Sequence, residues 1–344
     1  MLTPKQLEQR RKGITATDAS AIVGENPWRR PIDVYLSKKG IDQPRSAESE
    51  ERALTGSILE EGLAQRYVLK AKPADRDWRI FEPKQTLVNP QMPWVMATPD
   101  RFVFDMPAGQ GDELGKVAMK HASRAYPAEC SHLLECKLVG RPVQHWDLRS
   151  ADSADEDRLP VYVYVQVQWQ AIVTGVQRVD VAALLNGTGF RVFHVPVNHE
   201  YCKNLLDICY KFMVDHVLAD VAPDPDGSGS YSRYLSDLCP RNLVDVVDPS
   251  EDAALAELVT NYDAARAVES AAKKDKEHFA QLLKAVVLDR AGFIGQWGKV
   301  TWLTSAGQVD YKRLIEDLAV DSATLDKYRT PTRTLRVTAK KDKV

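Results

Sequence analysis

Asp100 closes a Thr98-Pro99-Asp100 turn, and 35 residues later Glu135-Cys136-Lys137 lies in an apolar stretch. Side chains alternate faces along a strand, so Glu135 and Lys137 point one way and Cys136 the other. At a rise of about 3.3 Å per residue their Cβ atoms stand roughly 6–7 Å apart. That spacing lets a carboxylate bind a divalent ion while an ammonium faces a water or phosphate beside it. A solvated cross-strand pair is the ordinary explanation of such an i, i+2 pattern. Here Leu133, Leu134, Leu138 and Val139 bracket the charges, and burying unpaired charge is costly, which favours a functional pair.

The elements that must position these groups follow from periodicity and breakers. Thr17 or Asp18 is placed to cap a short helix reaching Val23. Gly24 and Pro27 break the chain, and Pro31 opens a second helix over 32–39. The charged stretch 43–52 is expected to be solvated loop. From Gly56 an amphipathic helix runs to about Lys70, with Leu59, Leu63 and Tyr67 as its apolar stripe and Glu60 beside it. Short strands are expected over 85–89, 93–97 and 101–104, with Pro99 keeping Asp100 out of a regular ladder. Residues 106–131 form a long excursion before the strand 133–139. Val and Tyr content suggests a strand after Pro160, but the length and the Gln166/Gln170 spacing favour a helix from about Val163. Runs 178–185 and 190–197 flank Asn186-Gly187, a hairpin signal, and a helix over 200–219 follows.

This order predicts an α/β (α+β) core, a central mixed sheet flanked by helices, over residues 1–222. The Pro, Asp and Gly-rich stretch 223–230 opens a linker, 223–250. A C-terminal extension, 251–344, carries a long helix over 251–288 and a small sheet in which 292–303 pairs with 334–338.

The 344 residues are 44% hydrophobic and 27% charged, as in a globular protein of one large domain plus an appendage. No run of 18 apolar residues exists and the first dozen residues are polar, so neither a membrane span nor a signal peptide is expected. Five cysteines (130, 136, 202, 209 and 239) without CxxC spacing fit reduced thiols in a cytosol. Seven scattered histidines argue against zinc, and no Gly-rich loop with Lys-Ser/Thr points to ATP. The net charge of −2 does not advertise a polyanion partner, although a cleft can still concentrate cations.

Five motifs occur in a fixed order: Gly13-Ile14-Thr15-Ala16-Thr17-Asp18, Gly56-x-x-Leu59-Glu60, Ala97-Thr98-Pro99-Asp100, Leu134-Glu135-Cys136-Lys137 and Pro160-x-Tyr162-x₃-Gln166-Val167-Gln168. Over roughly residues 8–220 the chain resembles the YqaJ-type viral recombinases, relatives of phage lambda exonuclease in the PD-(D/E)XK superfamily. The resemblance implies that Asp100, Glu135 and the backbone carbonyl of Cys136 bind Mg²⁺, with Mn²⁺ able to substitute. Glu60 would complete the site directly or through water. It further implies that Lys137 orients or deprotonates the attacking water and that Gln166 borders the site; an exposed helix face is the alternative for the glutamines. Arg10 and Thr17 match positions that grip a DNA 5′-phosphate, a hydroxyl at a helix N-terminus and a guanidinium suiting that anion. Arg11 and Lys12 are neighbouring cations. The gap before Glu135 exceeds that of compact relatives, and Glu129 is a rival ligand that lacks the x-Lys partner.

The implied activity is a 5′-to-3′ exonuclease on linear double-stranded DNA, leaving 3′ single-stranded tails. Implied partners are DNA ends, a single-strand annealing protein and further copies of the chain in a trimeric ring, with no membrane. The implied setting is a bacterial cytosol, with a phage or prophage origin. Competing expectations are a structure- or sequence-specific endonuclease and a catalytically silent DNA-binding module on the same fold.

Overall fold

The computed structural model describes residues 4–42, 46–109, 130–140, 146, 159–238, 252–288, 290–296, 298–304 and 307–329. It divides into two compact units, Met1–Leu235 and Ser236–Val344.

The first unit opens with α1 (Pro4–Arg11) and α2 (Ala16–Ile22). Thr15, rather than Thr17 or Asp18, caps α2. Its hydroxyl accepts the Asp18 N–H while the Asp18 carboxylate accepts the Thr15 N–H, satisfying two helix-end donors at once. Gly13 precedes the cap because a Cβ there would lie 2.3 Å from the Trp94 carbonyl oxygen. That close approach lets Ile14 bridge Val95 and fixes α2 against the strand region. Pro31 opens α3 (Pro31–Lys38). The expected loop 43–52 is a helix from Ala47 onward. Ser46 caps α4 (Ala47–Ala71), and Glu48 and Glu50 sit in its first turn, where the helix dipole favours acidic side chains.

The sheet contains β1 (Arg76–Phe81), β4 (Arg101–Pro107), β5 (His132–Val139), β6 (Arg178–Leu185) and β7 (Gly189–Pro196), in the order β1-β4-β5-β6-β7. Only β5 and β6 are parallel. Parallel neighbours require a crossover, supplied by α5 (Val161–Thr174), which starts at Val161 and stops at Gly175 in the left-handed region (φ 76°). β1 was not expected from the sequence. The expected strands 85–89 and 93–97 shrink to β2 (Leu87–Val88) and β3 (Met96–Ala97), paired with each other. Asn186 and Gly187, both at positive φ, turn the β6–β7 hairpin as expected. The helix after it, α6 (His199–Phe212), continues as a π-helical segment, Met213–Leu218.

Alternation along the strands sorts the core onto two faces. Leu133, Val179 and Val181 join the large core containing residues of α2, α3, α5 and α6. Leu134 and Ala182 pack with Ala64, Tyr67 and Trp78 under α4. β5 is therefore covered on both sides, and each of its side chains must suit one cover or the other.

A helix, α7 (Gly229–Leu238), occupies part of the expected linker. The second unit holds α8 (Ala253–Val287), a hairpin of β8 (Gly292–Gly295) and β9 (Gly298–Thr301), and two short helices, α9 (Tyr311–Asp317) and α10 (Ser322–Asp326). β8 pairs with β9; the expected partner 334–338 lies outside the described residues. The excursion 110–129, with Glu129, also lies outside them. Among the described residues no helix is long and apolar enough to cross a membrane.

Candidate active site

Asp100 stands one residue before β4, where Pro99 ends the preceding turn, and its Oδ2 accepts the Cys136 backbone N–H at 2.7 Å. That bond reaches across the β4–β5 ladder and brings Asp100 beside Glu135. Glu135 is 3% exposed, and both of its oxygens are engaged. Oε1 accepts Lys137 Nζ at 2.7 Å and Gln166 Nε2 at 2.6 Å, and Oε2 accepts Gln170 Nε2 at 2.6 Å. Lys137 Nζ also donates to Gln166 Oε1 at 2.8 Å. Gln166 and Gln170 are one helical turn apart on α5, so both face β5. Gln168 points elsewhere, donating to the Pro196 carbonyl and accepting the Asn198 N–H. The glutamines are thus not an exposed face: Gln168 and Gln170 are buried.

Asp100, Glu135 and Glu60 line one cavity. Burial, then the charges of Glu135 and Glu60, push the Asp100 carboxyl well above the usual carboxylate range, against Lys137 and the Cys136 amide. Burial works against the Lys137 ammonium, but Glu135 and Asp100 outweigh it and its pKa is raised. The cavity therefore carries more carboxylate than its own cations balance. Glu60 accepts from the buried guanidinium of Arg101, whose Nη1 lies 2.5 Å from Glu60 Oε1 and whose Nη2 lies 2.9 Å from Glu61 Oε2. Arg101 Nη1 also donates to the Asp100 carbonyl at 2.6 Å, tying α4 to the start of β4.

Among the described residues no three His, Cys, Asp or Glu side chains converge into a ready-made metal cage. Two neighbouring carboxylates, Asp100 held protonated more readily by burial and by the Glu135 charge, are both oxygen donors and fit a hard cation that keeps several waters. Asp100 and Glu135 are the residues able to hold it directly. Glu60, paired with Arg101, is suited to act through a water.

Arg10, Thr15 and Thr17 line the same cavity at its other end. Arg10 Nη2 lies 3.3 Å from Thr15 Oγ1. Beneath them Lys38 is almost wholly buried and donates to Asp18 Oδ2 at 2.6 Å and to the Arg10 carbonyl at 2.7 Å. Burial disfavours the Asp18 charge, but Lys38 and Arg29 override it and hold this carboxyl far below its usual range. This end of the cavity is therefore built on a buried ion cluster joining α1, α2 and α3.

The model of the YqaJ-like viral recombinase domain matches residues 5–177, a span that takes in every residue of this cavity. The chain belongs to the YqaJ-like viral recombinase family. An uncharacterized protein YqaJ from Bacillus subtilis (strain 168) is 27% identical over 232 residues, covering 67% of this chain and 61% of that protein. The chain thus spans less than two thirds of this YqaJ relative. Among solved structures, an alkaline exonuclease (LHK-Exo) from Laribacter hongkongensis aligns over 69% of this chain and 100% of its own, at 15% identity and a TM-score of 0.44. The same exonuclease in complex with dAMP aligns at 13% identity over 69% of this chain and 98% of its own, with a TM-score of 0.44.

In this YqaJ-like chain the sequence-derived residues Asp100, Glu135, Lys137, Gln166 and Glu60 gather at one end of the cavity, and Arg10 and Thr17 at the other. Cys136 contributes its N–H to Asp100. Sequence reasoning missed Gln170, Arg101 and Thr15. Gln170 carried a signal, its i, i+4 relation to Gln166. Thr15 stood within the first motif, two residues before Thr17, and Arg101 carried no signal beyond adjacency to Asp100.

Proposed function

We propose that this protein is a Mg²⁺-dependent deoxyribonuclease that degrades linear double-stranded DNA from its 5′ ends. The observation that carries this reading is one cavity with an under-neutralised carboxylate pair at one end and Arg10, Thr15 and Thr17 at the other. Asp100 and Glu135 would hold the ion, with Mn²⁺ able to replace Mg²⁺. The ion supplies charge neutralisation at the phosphate oxygens and a more acidic bound water. Lys137, held by Glu135 and Gln166, positions the attacking water and a phosphate oxygen. Gln166 and Gln170 fix the Glu135 carboxylate so that its remaining lone pairs face the cavity. Arg10 with Thr15 and Thr17 receives the 5′-phosphate, a strong multivalent acceptor suited to a guanidinium and hydroxyls. An anion site beside a hydrolytic site counts from a strand end, which favours end-dependent over internal cutting.

In this reading the product is a 3′ single-stranded tail handed to an annealing protein, and copies of the chain encircle the duplex as a trimer. Phosphate contacts dominate affinity, so activity falls as salt rises. The deciding experiment digests linear and covalently closed circular duplex, with Mg²⁺ or EDTA, the linear form carrying either a 5′-phosphate or a 5′-hydroxyl. Mg²⁺-dependent loss of linear DNA alone, faster with the phosphate, is expected. Equal cutting of the circle would replace the exonuclease reading by an endonuclease.

A further inference from the structure

Trp28 is 69% exposed, more than any other exposed aromatic side chain among the described residues of the first unit. It sits on a fixed loop. The buried amide oxygen of Asn26 accepts the backbone N–H groups of Trp28 and Arg29, each at 3.0 Å. Asn26 Nδ2 donates to Ser20 Oγ at 3.0 Å, and Ser20 donates to the Thr17 carbonyl at 2.9 Å. The loop is thereby tied to the helix turn that lines the anion-facing end of the cavity. On its other side the indole meets Tyr162 at right angles, ring centroids 5.2 Å apart. Tyr162 stands one helical turn before Gln166 on α5 and shares its side of the helix, and Gln166 lines the cavity. Trp28 therefore stands against Tyr162, one helical turn from a residue that lines the cavity, and is linked through three residues to the anion end.

A large ring left in water on a rigid support forgoes the gain from burial. The perpendicular contact with Tyr162 uses at most one indole face. An open aromatic face beside a phosphate-handling cavity suits a nucleobase, since every base offers a π-face to stack on. If the protein cuts duplex DNA from an end, the strand entering the cavity must leave its partner, and its bases lose their stacking neighbours. We propose that Trp28 is the stacking platform for an unpaired base of the strand that enters the cavity. This rests on the deoxyribonuclease reading and assigns it a base-binding residue.

The test measures binding of a 5′-phosphorylated duplex end in EDTA by fluorescence anisotropy, for the full-length protein and for Trp28→Ala and Trp28→Phe. Single abasic sites are placed at the first, second or third nucleotide of the 5′ strand. Trp28→Ala is expected to weaken binding about tenfold or more and Trp28→Phe only about threefold. At one position the abasic site should weaken the wild-type protein similarly yet add nothing in Trp28→Ala. Losses that multiply at all three positions overturn the proposal, because Trp28 then acts without reference to a base. Unaltered affinity of Trp28→Ala overturns it too, as does a loss of self-association in that variant, which would make Trp28 a contact between copies. A wild-type protein that neither binds nor cuts DNA defeats the nuclease reading and this inference together. Multiplicative losses in an active enzyme defeat the inference alone.

Discussion

The two faces of β5 bury comparable amounts of polar chemistry to opposite ends. On the cavity face Glu135 and Lys137 meet Gln166 and Gln170. On the α4 face His132 meets Tyr67, Arg178 and Asp180, the last wholly buried on β6. The second cluster draws its cations from the protein, and Arg178 Nε and Asp180 Oδ1, 3.0 Å apart, form an ion pair without hydrogen-bond geometry. Tyr67 donates to Asp180 Oδ2 at 2.6 Å and lies 2.8 Å from His132 Nε2, while His194 Nδ1 stands 2.9 Å from the same Asp180 oxygen. A neutral His132 donating from Nε2 to the Tyr67 oxygen and accepting Arg178 at Nδ1 completes that arrangement. Trp78 stacks on Tyr67 and seals it. On the cavity face carboxylates crowd one another and open towards solvent. On one face a buried carboxylate is ringed by the chain's own donors and cations; on the other, neighbouring carboxylates stand around a single ammonium.

Four measurements break or sharpen that contrast. Glu135→Ala should lower cleavage by at least about 10³-fold, while its melting temperature falls less than that of Asp180→Ala, because relief of the repulsion with Asp100 offsets part of the lost pairing with Lys137. A large stability loss with retained cleavage would invert the assignment of the two faces. Asp180→Ala should do the reverse. Removing one partner from a buried charged cluster costs roughly 3–5 kcal/mol, a melting-point fall of about 10 °C for a domain of this size. The turnover of the protein that remains folded should change little, as thermal melts paired with active-site titration would report.

Gln170→Leu removes one hydrogen bond to Glu135. It also removes a buried Oε1 that has no partner among the described residues. Activity and calorimetric Mn²⁺ affinity should fall about 10- to 100-fold, as for residues that orient a metal ligand, with stability nearly unchanged. An unaltered Mn²⁺ isotherm would show that Glu135 needs no such support. The smallest effect concerns pH. Burial pushes His132 down to about 4, against an ordinary value near 6.5. Above pH 6.5 both folded and unfolded forms are neutral there. Between 6.5 and 4 the unfolded chain binds the proton first, so stability falls as pH falls, with a slope of at most about 1.4 kcal/mol per pH unit. Denaturant melts of His132→Asn should show a shallower slope in that window, and an identical slope would remove His132 as the cause.

The chemistry was legible where it is local. Strand alternation put Glu135 and Lys137 on one face, Pro99 marked Asp100 as a ladder-free residue, and Asn186-Gly187 fixed the hairpin. What escaped depends on distance in sequence. The Arg101 pairing with Glu60 and Glu61, and Lys38 beneath Arg10, join residues from separate elements that no short window contains. β1 escaped because Arg76-Asp77-Trp78-Arg79-Ile80-Phe81 buries only Trp78 fully and shows no clean alternation. The start of α4 escaped because a charged stretch reads locally as solvated loop, although acidic residues at a helix N-terminus stabilise the helix.

The ladders flanking β5 are unequal. β4 and β5 share three residue pairs, Arg101–Leu134 to Val103–His132, whereas β5 and β6 share seven. The placement of Glu135 is therefore inherited from β6 and α5, and Asp100 is joined to it by a short splice and one amide. The distance between the two carboxylates thus depends on that splice and amide far more than on the β5–β6 ladder.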